Sequence, residues 1–504
     1  MLQKINAYYK NHRLVCNALF SVAQIVFVGL TYFIIYTLLL HKLGSEKLGI
    51  WSLILSTTSV ANVATTGLAL SLVKYIAMYN ADIDHIKINK YIKTGLFIIS
   101  LLTGVIIIIV YILGKFFLPK VMPLNNVQEA ISLLPLSLMS LFLNAIGGVF
   151  LSTLEGLHHS AFRSISYIVS SILFTIVAFL LIDQYGLMGI AIAQVIQAIM
   201  LILLGVFFLK LLFRKVSLFP IVFDKIIFKE IFGYSASFQF IGVCTILIEP
   251  VVKFMISRFG GLSFVGFYEM GSRLVSQIRA LIISANQVMV PYISKISASQ
   301  NSKNDFTYPI ILKLVYYLTV CLMVFIILLS PVISVLWIGT YNEVFVKTLI
   351  ILSAATTINL ISTPAYFSSM GLGKLNGILY SHAIFLVLNI ILGYFLGINF
   401  GGWGVIVSYS LSYLVCSFVT IFYYHKIYNI KILRLFNSNG ERRWIILNFL
   451  IYIGLSISLI TFSNLMPQAF YILMSFVVSF LFIYIAYNKD TSLQKTFIKI
   501  RDKV

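Results

Sequence analysis

Acid is scarce in this chain: 15 Asp and Glu stand among 504 residues, against 36 Lys and Arg. Charged residues of both signs reach only 10%. A soluble domain carries about 25%, so a soluble globular enzyme is excluded. The four cysteines, Cys16, Cys244, Cys321 and Cys416, each sit in an apolar run and form no CxxC pair. That excludes a disulfide framework and predicts free, buried thiols. No HExxH, GxSxG, P-loop or paired-carboxylate constellation occurs. Of the seven histidines only His382 falls inside an apolar run, and His158-His159 reads as a turn pair rather than a metal site. A secretory signal is not expected either, because the first apolar run, Leu14–Leu40, is too long and has no small-residue cleavage site.

What is present is hydrophobic residues, 60% of the chain. They form fourteen apolar runs, each long enough for a bilayer core that needs ~20 helical residues. The runs are continuous rather than alternating, so a membrane β-barrel is excluded and an all-α polytopic protein is expected. Fourteen spans place both termini on one side. Lys42, Lys47, Lys115, Lys120, Arg258 and Lys347 fall on the other side, and Lys253, Arg273 and Arg279 fall inside spans, which leaves 27 of the 36 cations with the termini. By the positive-inside rule the termini are cytoplasmic. The longest outer connection, Leu118–Ala130, is too short to carry the catalytic loop of a membrane polymerase or ligase. Nucleic acid is not an expected partner; the basic excess belongs to cytoplasmic loops and lipid headgroups.

The chain repeats itself. Gly156/Gly371, Leu157/Leu372, Gly186/Gly401 and Gly189/Gly404 recur at an offset of 215, Gly44/Gly260 at 216 and Gly49/Gly266 at 217. The offset spans six helices, so both halves share one topology and their symmetry axis runs along the membrane normal. The expected organisation is a six-helix bundle over 1–219, a cytoplasmic amphipathic linker over 220–230 and a second six-helix bundle over 231–425. A segment over 426–504 then holds a cytoplasmic loop, two further helices and a basic tail.

With the Glu155-Gly-Leu-x-x turn after the fourth span and Lys42-Leu-Gly-x-x-x-Leu-Gly-Ile-Trp after the first, the chain resembles the polysaccharide transporter (Wzx-type flippase) family of the MOP superfamily. The resemblance implies a MATE-like fold and export of undecaprenyl-diphosphate-linked oligosaccharides across the bacterial inner membrane. It also implies contact with membrane lipids and with the polysaccharide polymerase machinery. It implies no cofactor, and it leaves coupling to protons, sodium ions or the membrane potential open. Two alternatives stay open: a lipid II flippase, whose group shares the two extra C-terminal helices, and a MATE-type drug:cation antiporter.

Ionisable residues inside spans are functional candidates. In the eighth span Glu269, Arg273 and Gln277 share a face, with Arg279 beside it. In the seventh, Glu249 and Lys253 share a face across Pro250. Glu269–Arg273 and Glu249–Lys253 are both i,i+4 pairs that can neutralise themselves, so they read either as structural pairs or as parts of a diphosphate site. Arg279 has no acid at helical spacing. Further candidates are Gln24 beside Asn17 and Ser21 in the first span, Asn62 in the Ser/Thr-rich second span, and Lys74 near its cytoplasmic end. In the twelfth span Tyr409, Ser412, Tyr413 and Ser417 suit either a sugar or a neighbouring helix.

Overall fold

The computed structural model describes residues 13–60, 63–81, 84–213, 223–287 and 304–430, and isolated positions between 454 and 478. Among them lie twelve helices and no strand. They are α1 (Arg13–Leu43), α2 (Ser45–Ser59), α3 (Val63–Ala81), α4 (His85–Val121), α5 (Leu124–Gly156) and α6 (Ser160–Tyr185). Then follow α7 (Leu187–Leu212), α8 (Lys225–Gly260), α9 (Leu262–Gln287), α10 (Asn304–Ile338), α11 (Glu343–Gly371) and α12 (Asn376–Ile427). Eight of the described helices are long and apolar enough to cross a membrane. The fourteen expected spans map onto this set with three differences. The second span is described as α2 and α3, with residues 61–62 between them outside the described residues. The eleventh and twelfth run together as α12, whose backbone leaves the helical region only at Gly401 (φ 62°, ψ −146°). The last two fall mostly outside the described residues.

Exposed apolar rows mark the membrane-facing surfaces. On α4 Leu101, Val105, Ile108 and Ile112 are exposed, while Thr103 and Gly114 turn inward. Lipid is as apolar as a leucine core, so helix association rests on close packing and small residues rather than on hydrophobic burial. Ser52, Ser164, Ser166, Ser170, Ser408 and Ser417 are accordingly fully buried.

The chain forms two compact units, Met1–Gly266 and Phe267–Val504. In the first, α3, α4, α5, α7 and the start of α8 meet around Leu72, Ile76, Tyr91, Val149, Leu154, Leu209 and Ile227. In the second, α11 packs against α10 and α12. The unit boundary falls inside α9, and α8 packs on α2, α3 and α4. The expected division at 219–231 follows the sequence repeat, and the unit boundary by packing is a separate division. Residues 225–230 are the opening turns of α8, started by the Asp224 carboxylate, which accepts from the Ile226 and Ile227 amides. The expected outer connection 118–130 is likewise almost all helix, because α4 runs to Val121 and α5 starts at Leu124.

The repeat is visible in the backbone. Gly186 (φ 54°, ψ −131°) and Gly401 (φ 62°, ψ −146°) are helix breaks of one kind. Gly44 (φ 86°, ψ 170°) and Gly261 (φ 86°, ψ 171°) start α2 and α9 with the same turn, so the partner of Gly44 is Gly261 rather than Gly260. His158 (φ 63°) occupies the position that Gly373 (φ 70°) takes in the second half. Both close helices with matching bonds: His159 N to Leu154 O at 2.8 Å, and Lys374 N to Ser369 O at 2.9 Å. Gly49 and Gly266 pack reciprocally. A Cβ on Gly49 would overlap the Leu262 carbonyl, and one on Gly266 would stand 2.6 Å from the Ser45 carbonyl oxygen. The Ser45 hydroxyl donates to that of Ser263 at 3.0 Å. All of these latter contacts lie within the first unit.

Candidate functional site

Three of the candidate cations behave differently from one another. Lys253, fully buried on α8, binds Glu249 Oε1 at 2.6 Å, and that carboxylate is 46% exposed. Arg273 Nε on α9 binds Glu269 Oε1 at 2.7 Å; here the acid is fully buried and the arginine is 27% exposed. Both i,i+4 pairs therefore form. Lys253 belongs to the first unit and Arg273 to the second.

Arg279, six residues further along α9, has no carboxylate partner among the described residues. Its Nε donates to Asn359 Oδ1 of α11 at 3.4 Å. The same oxygen accepts from the Tyr413 hydroxyl at 2.6 Å. Asn359 Nδ2 in turn donates to Ser417 Oγ at 3.2 Å. Tyr413, Tyr409 and Tyr366 surround the guanidinium within electrostatic reach, and so does His382. The rings interlock: Tyr409 stacks on Tyr413 with centroids 5.6 Å apart, and Tyr366 meets His382 edge-on at 6.2 Å. Arg279, Asn359, Tyr366, His382 and Tyr409 all keep partial exposure, while Tyr413 and Ser417 are buried. The whole cluster lies in the second unit.

Neutral oxygens satisfy donors without cancelling charge. Arg279 thus keeps a full positive charge among phenols, an amide and an imidazole, whereas Arg273 and Lys253 are held by their own acids. A guanidinium at membrane depth is tenable only beside water or an anion.

The remaining candidates are dispersed. Gln277 sits on α9 and Gln24 on α1, each partly exposed. Lys74 is exposed on α3, with its ammonium 5.2 Å from the Tyr75 ring centre. Asn62 lies outside the described residues. Asn17 proves to be a clasp on the turn between α5 and α6: its Oδ1 accepts from Ala161 N at 2.9 Å, and its Nδ2 donates to His158 O at 3.1 Å. In α2, Ser56, Thr57, Thr58 and Ser59 return their hydroxyls to carbonyls of the preceding turn, a local bond rather than a ligand contact.

Sequence reasoning named Arg279, Tyr409, Tyr413 and Ser417 but missed Asn359, Tyr366 and the use of His382. One signal was available. At the repeat offset, Tyr366, Tyr413 and Ser417 correspond to Leu151, Ala198 and Ile202, so these are places where the second half has gained polarity. Among the described residues no group of three His, Cys, Asp or Glu is arranged to hold a metal ion.

Comparison with known proteins gives a consistent result. The family described as "Polysaccharide biosynthesis protein" matches residues 14–297. No curated protein matches. Among solved structures, an inward-facing multidrug resistance MATE family transporter of the MOP superfamily superposes with TM-score 0.68 at 16% identity, over 80% of this chain and 94% of that one. A lipid II flippase MurJ in an inward closed conformation gives TM-score 0.68 at 18% identity, over 94% and 99%. A MOP superfamily transporter from Pyrococcus furiosus, described as having a binding pocket of reverse polarity, gives 0.60 at 16%, over 81% and 96%. At these identities the likeness is one of fold: an all-α, multi-pass membrane protein with the architecture of these transporters.

Proposed function

Because the chain belongs to the polysaccharide biosynthesis protein family, we propose that it is a flippase. It carries undecaprenyl-diphosphate-linked oligosaccharide units from the cytoplasmic to the outer face of a bacterial inner membrane by alternating access, with both termini cytoplasmic. The observation that carries this reading is Arg279: a cation without a carboxylate partner among the described residues, bonded to a neutral amide and near phenols. A guanidinium forks onto two phosphate oxygens, and low dielectric strengthens each bond. Arg273 is the further diphosphate contact of the second unit in this proposal, released from Glu269 when a stronger anion arrives, and Lys253 of the first unit is proposed as a separate cationic contact along the path. Gln277, Gln24, Asn62 and Lys74 are proposed as weaker polar contacts along the path.

The electrical driving force suits such a cargo. A diphosphate leaving an inside-negative cell gains ~2.3 kcal/mol per charge for each 100 mV. A drug:cation antiporter would instead want unpaired carboxylates, and Glu249 and Glu269 are both paired with cations. The lipid II reading shares the same diphosphate chemistry and differs only in the glycan.

The test is surface-glycan complementation at matched membrane levels in a strain lacking its own flippase. Arg279→Ala should abolish or severely reduce surface glycan. Wild-type glycan with Arg279→Ala would reject the proposal.

A further inference from the structure

We propose that one acidic phospholipid docks where the start of α8 meets α4, with its phosphate on Lys90 and Lys225 and an acyl chain along Phe97 and Leu101. The site is separate from the Arg279 cluster; only the leaflet it faces, the cytoplasmic one, rests on the orientation in the proposed function. On α4, Ile86, Lys90, Lys93, Phe97 and Leu101 recur at three- and four-residue spacing and so form one stripe. All five are exposed or partly exposed, Leu101 by 57%. From Lys90 to Leu101 the helix rises about 16 Å, close to half of a ~30 Å hydrocarbon core. The stripe therefore runs from headgroup depth to mid-membrane, the length of one leaflet.

The start of α8 closes one side of this stripe. Phe223 packs on Phe97 with ring centroids 5.4 Å apart, and the Tyr91 hydroxyl donates to the Glu230 carboxylate. Residues 223–230 thus run beside 91–97 of α4, which brings the exposed Lys225 and Ile226 to the same edge. The nearby acids are otherwise engaged: Asp84 holds Lys87 at 3.5 Å, Asp224 caps α8, and Glu230 accepts from Tyr91. Among the described residues no ion pair joins Lys90 or Lys225 to an acid. A bias of cations toward cytoplasmic loops would be met by lysines between helices. It does not place Lys90 and Lys93 inside α4, on the face that continues as Phe97 and Leu101. Cations from two segments above a shared apolar track match a phosphate that carries an acyl chain. A zwitterionic headgroup adds an ammonium that these lysines repel, so the fitting lipid is acidic.

The experiment uses the full chain, purified in detergent micelles, and reads its unfolding midpoint as lipid is added. The probes are phosphatidylglycerol and phosphatidylcholine with the same acyl chains, and glycerol 3-phosphate, which has the phosphate and no chain. Phosphatidylglycerol should raise the midpoint saturably, at concentrations where the other two do little. Lys90→Gln with Lys225→Gln should weaken that response about tenfold or more, as expected for two lysines beside an anionic headgroup. Ile226→Gln should weaken it by removing part of the apolar track. Lys115→Gln with Lys120→Gln is the control, because it removes the same charge from the opposite end of α4 and should leave the response intact. If the Lys90/Lys225 double variant does not fold, Lys225→Gln alone carries the test, since Lys225 is exposed at the first turn of α8.

Phosphatidylcholine acting as well as phosphatidylglycerol would overturn the proposal, since charge would then contribute nothing. So would a response that survives loss of Lys90 and Lys225, or one that the Lys115/Lys120 control loses to the same degree, because the effect would then be one of net charge and not of a site. None of these results touches the flippase reading, which fails separately if Arg279→Ala exports glycan normally.

Discussion

Replacing Gly266 with alanine should prise apart the first turns of α2 and α9. The new Cβ would stand 2.6 Å from the Ser45 carbonyl oxygen and 3.2 Å from a Leu48 methyl. The oxygen is backbone and cannot swing away, so one helix must move. Overpacking of this kind costs about 1–3 kcal/mol, which lowers the population of the close contact roughly 5- to 150-fold. The contact carries its own reporter. The Ser45 and Ser263 hydroxyls are 3.0 Å apart, a spacing that a ~2.05 Å disulfide bridges with little adjustment. In a background without the four native cysteines, Ser45→Cys with Ser263→Cys should cross-link rapidly in membranes under mild oxidation. Adding Gly266→Ala should slow that reaction at least about fivefold, and Gly49→Ala should do the same through the Leu262 carbonyl. Gly148→Ala is the control, because nothing lies within 4 Å of its added carbon. Equal cross-linking rates in the Gly266→Ala and Gly148→Ala chains would refute the close approach. If transport is alternating access, the cross-link itself should stop export and a reductant should restore it; full export with the bridge closed would reject the rocking mechanism.

The two ion pairs should respond asymmetrically. Arg273→Ala removes the arginine bonded to the fully buried Glu269 carboxylate, and breaking a buried pair costs about 3–5 kcal/mol, so membrane abundance should fall together with glycan export. Abundance should return in the Glu269→Gln/Arg273→Gln double variant. Arg273→Lys should keep part of the activity, because charge survives and the fork does not. Lys253→Ala should be milder, because the acid it leaves is 46% exposed and can meet water; comparing immunoblot levels of the two alanine variants decides this. Asn17→Ala removes two hydrogen bonds to the turn between α5 and α6 and should lower thermal stability by about 1–3 kcal/mol, read as a fall in the unfolding midpoint. For topology, an impermeant thiol reagent on intact spheroplasts should label Ser45→Cys and not Ser438→Cys; the opposite pattern would invert the orientation.

The fold was legible where the backbone demands one residue type. Glycines at positive φ recur in sequence because few other residues can stand there, so Gly186/Gly401 revealed the duplication directly. Where the pairing slipped, at Gly44, two adjacent glycines at 260 and 261 offered a choice that only the dihedral angles resolve. The start of α8 read as a separate amphipathic segment because its first turns carry Lys225, Lys229 and Glu230, while the capping Asp224 joins them to the span. In the site, Arg279 stood out because it lacks an acid one turn away. Asn359 did not, because it lies 80 residues distant and a neutral amide in an apolar helix is indistinguishable from packing.

What the two halves share and where they differ separates motion from recognition. The matched features, Gly44 with Gly261, Gly49 with Gly266, and Gly186 with Gly401, are all backbone requirements: turns, breaks and close approaches that set how helices start, stop and touch. Substitution there is costly in either half, so duplication preserves it. The unmatched features, Tyr366 for Leu151, Tyr413 for Ala198 and Ser417 for Ile202, are side chains on helices whose backbone is unaltered. Changing them costs packing only locally, so in the proposed function they are open to meeting a ligand. A symmetric frame can therefore carry one asymmetric cargo. It follows that polarity placed at Leu151, Ala198 and Ile202 should leave the Ser45–Ser263 cross-linking rate unaltered, whereas alanine at Gly49 or Gly266 should change it.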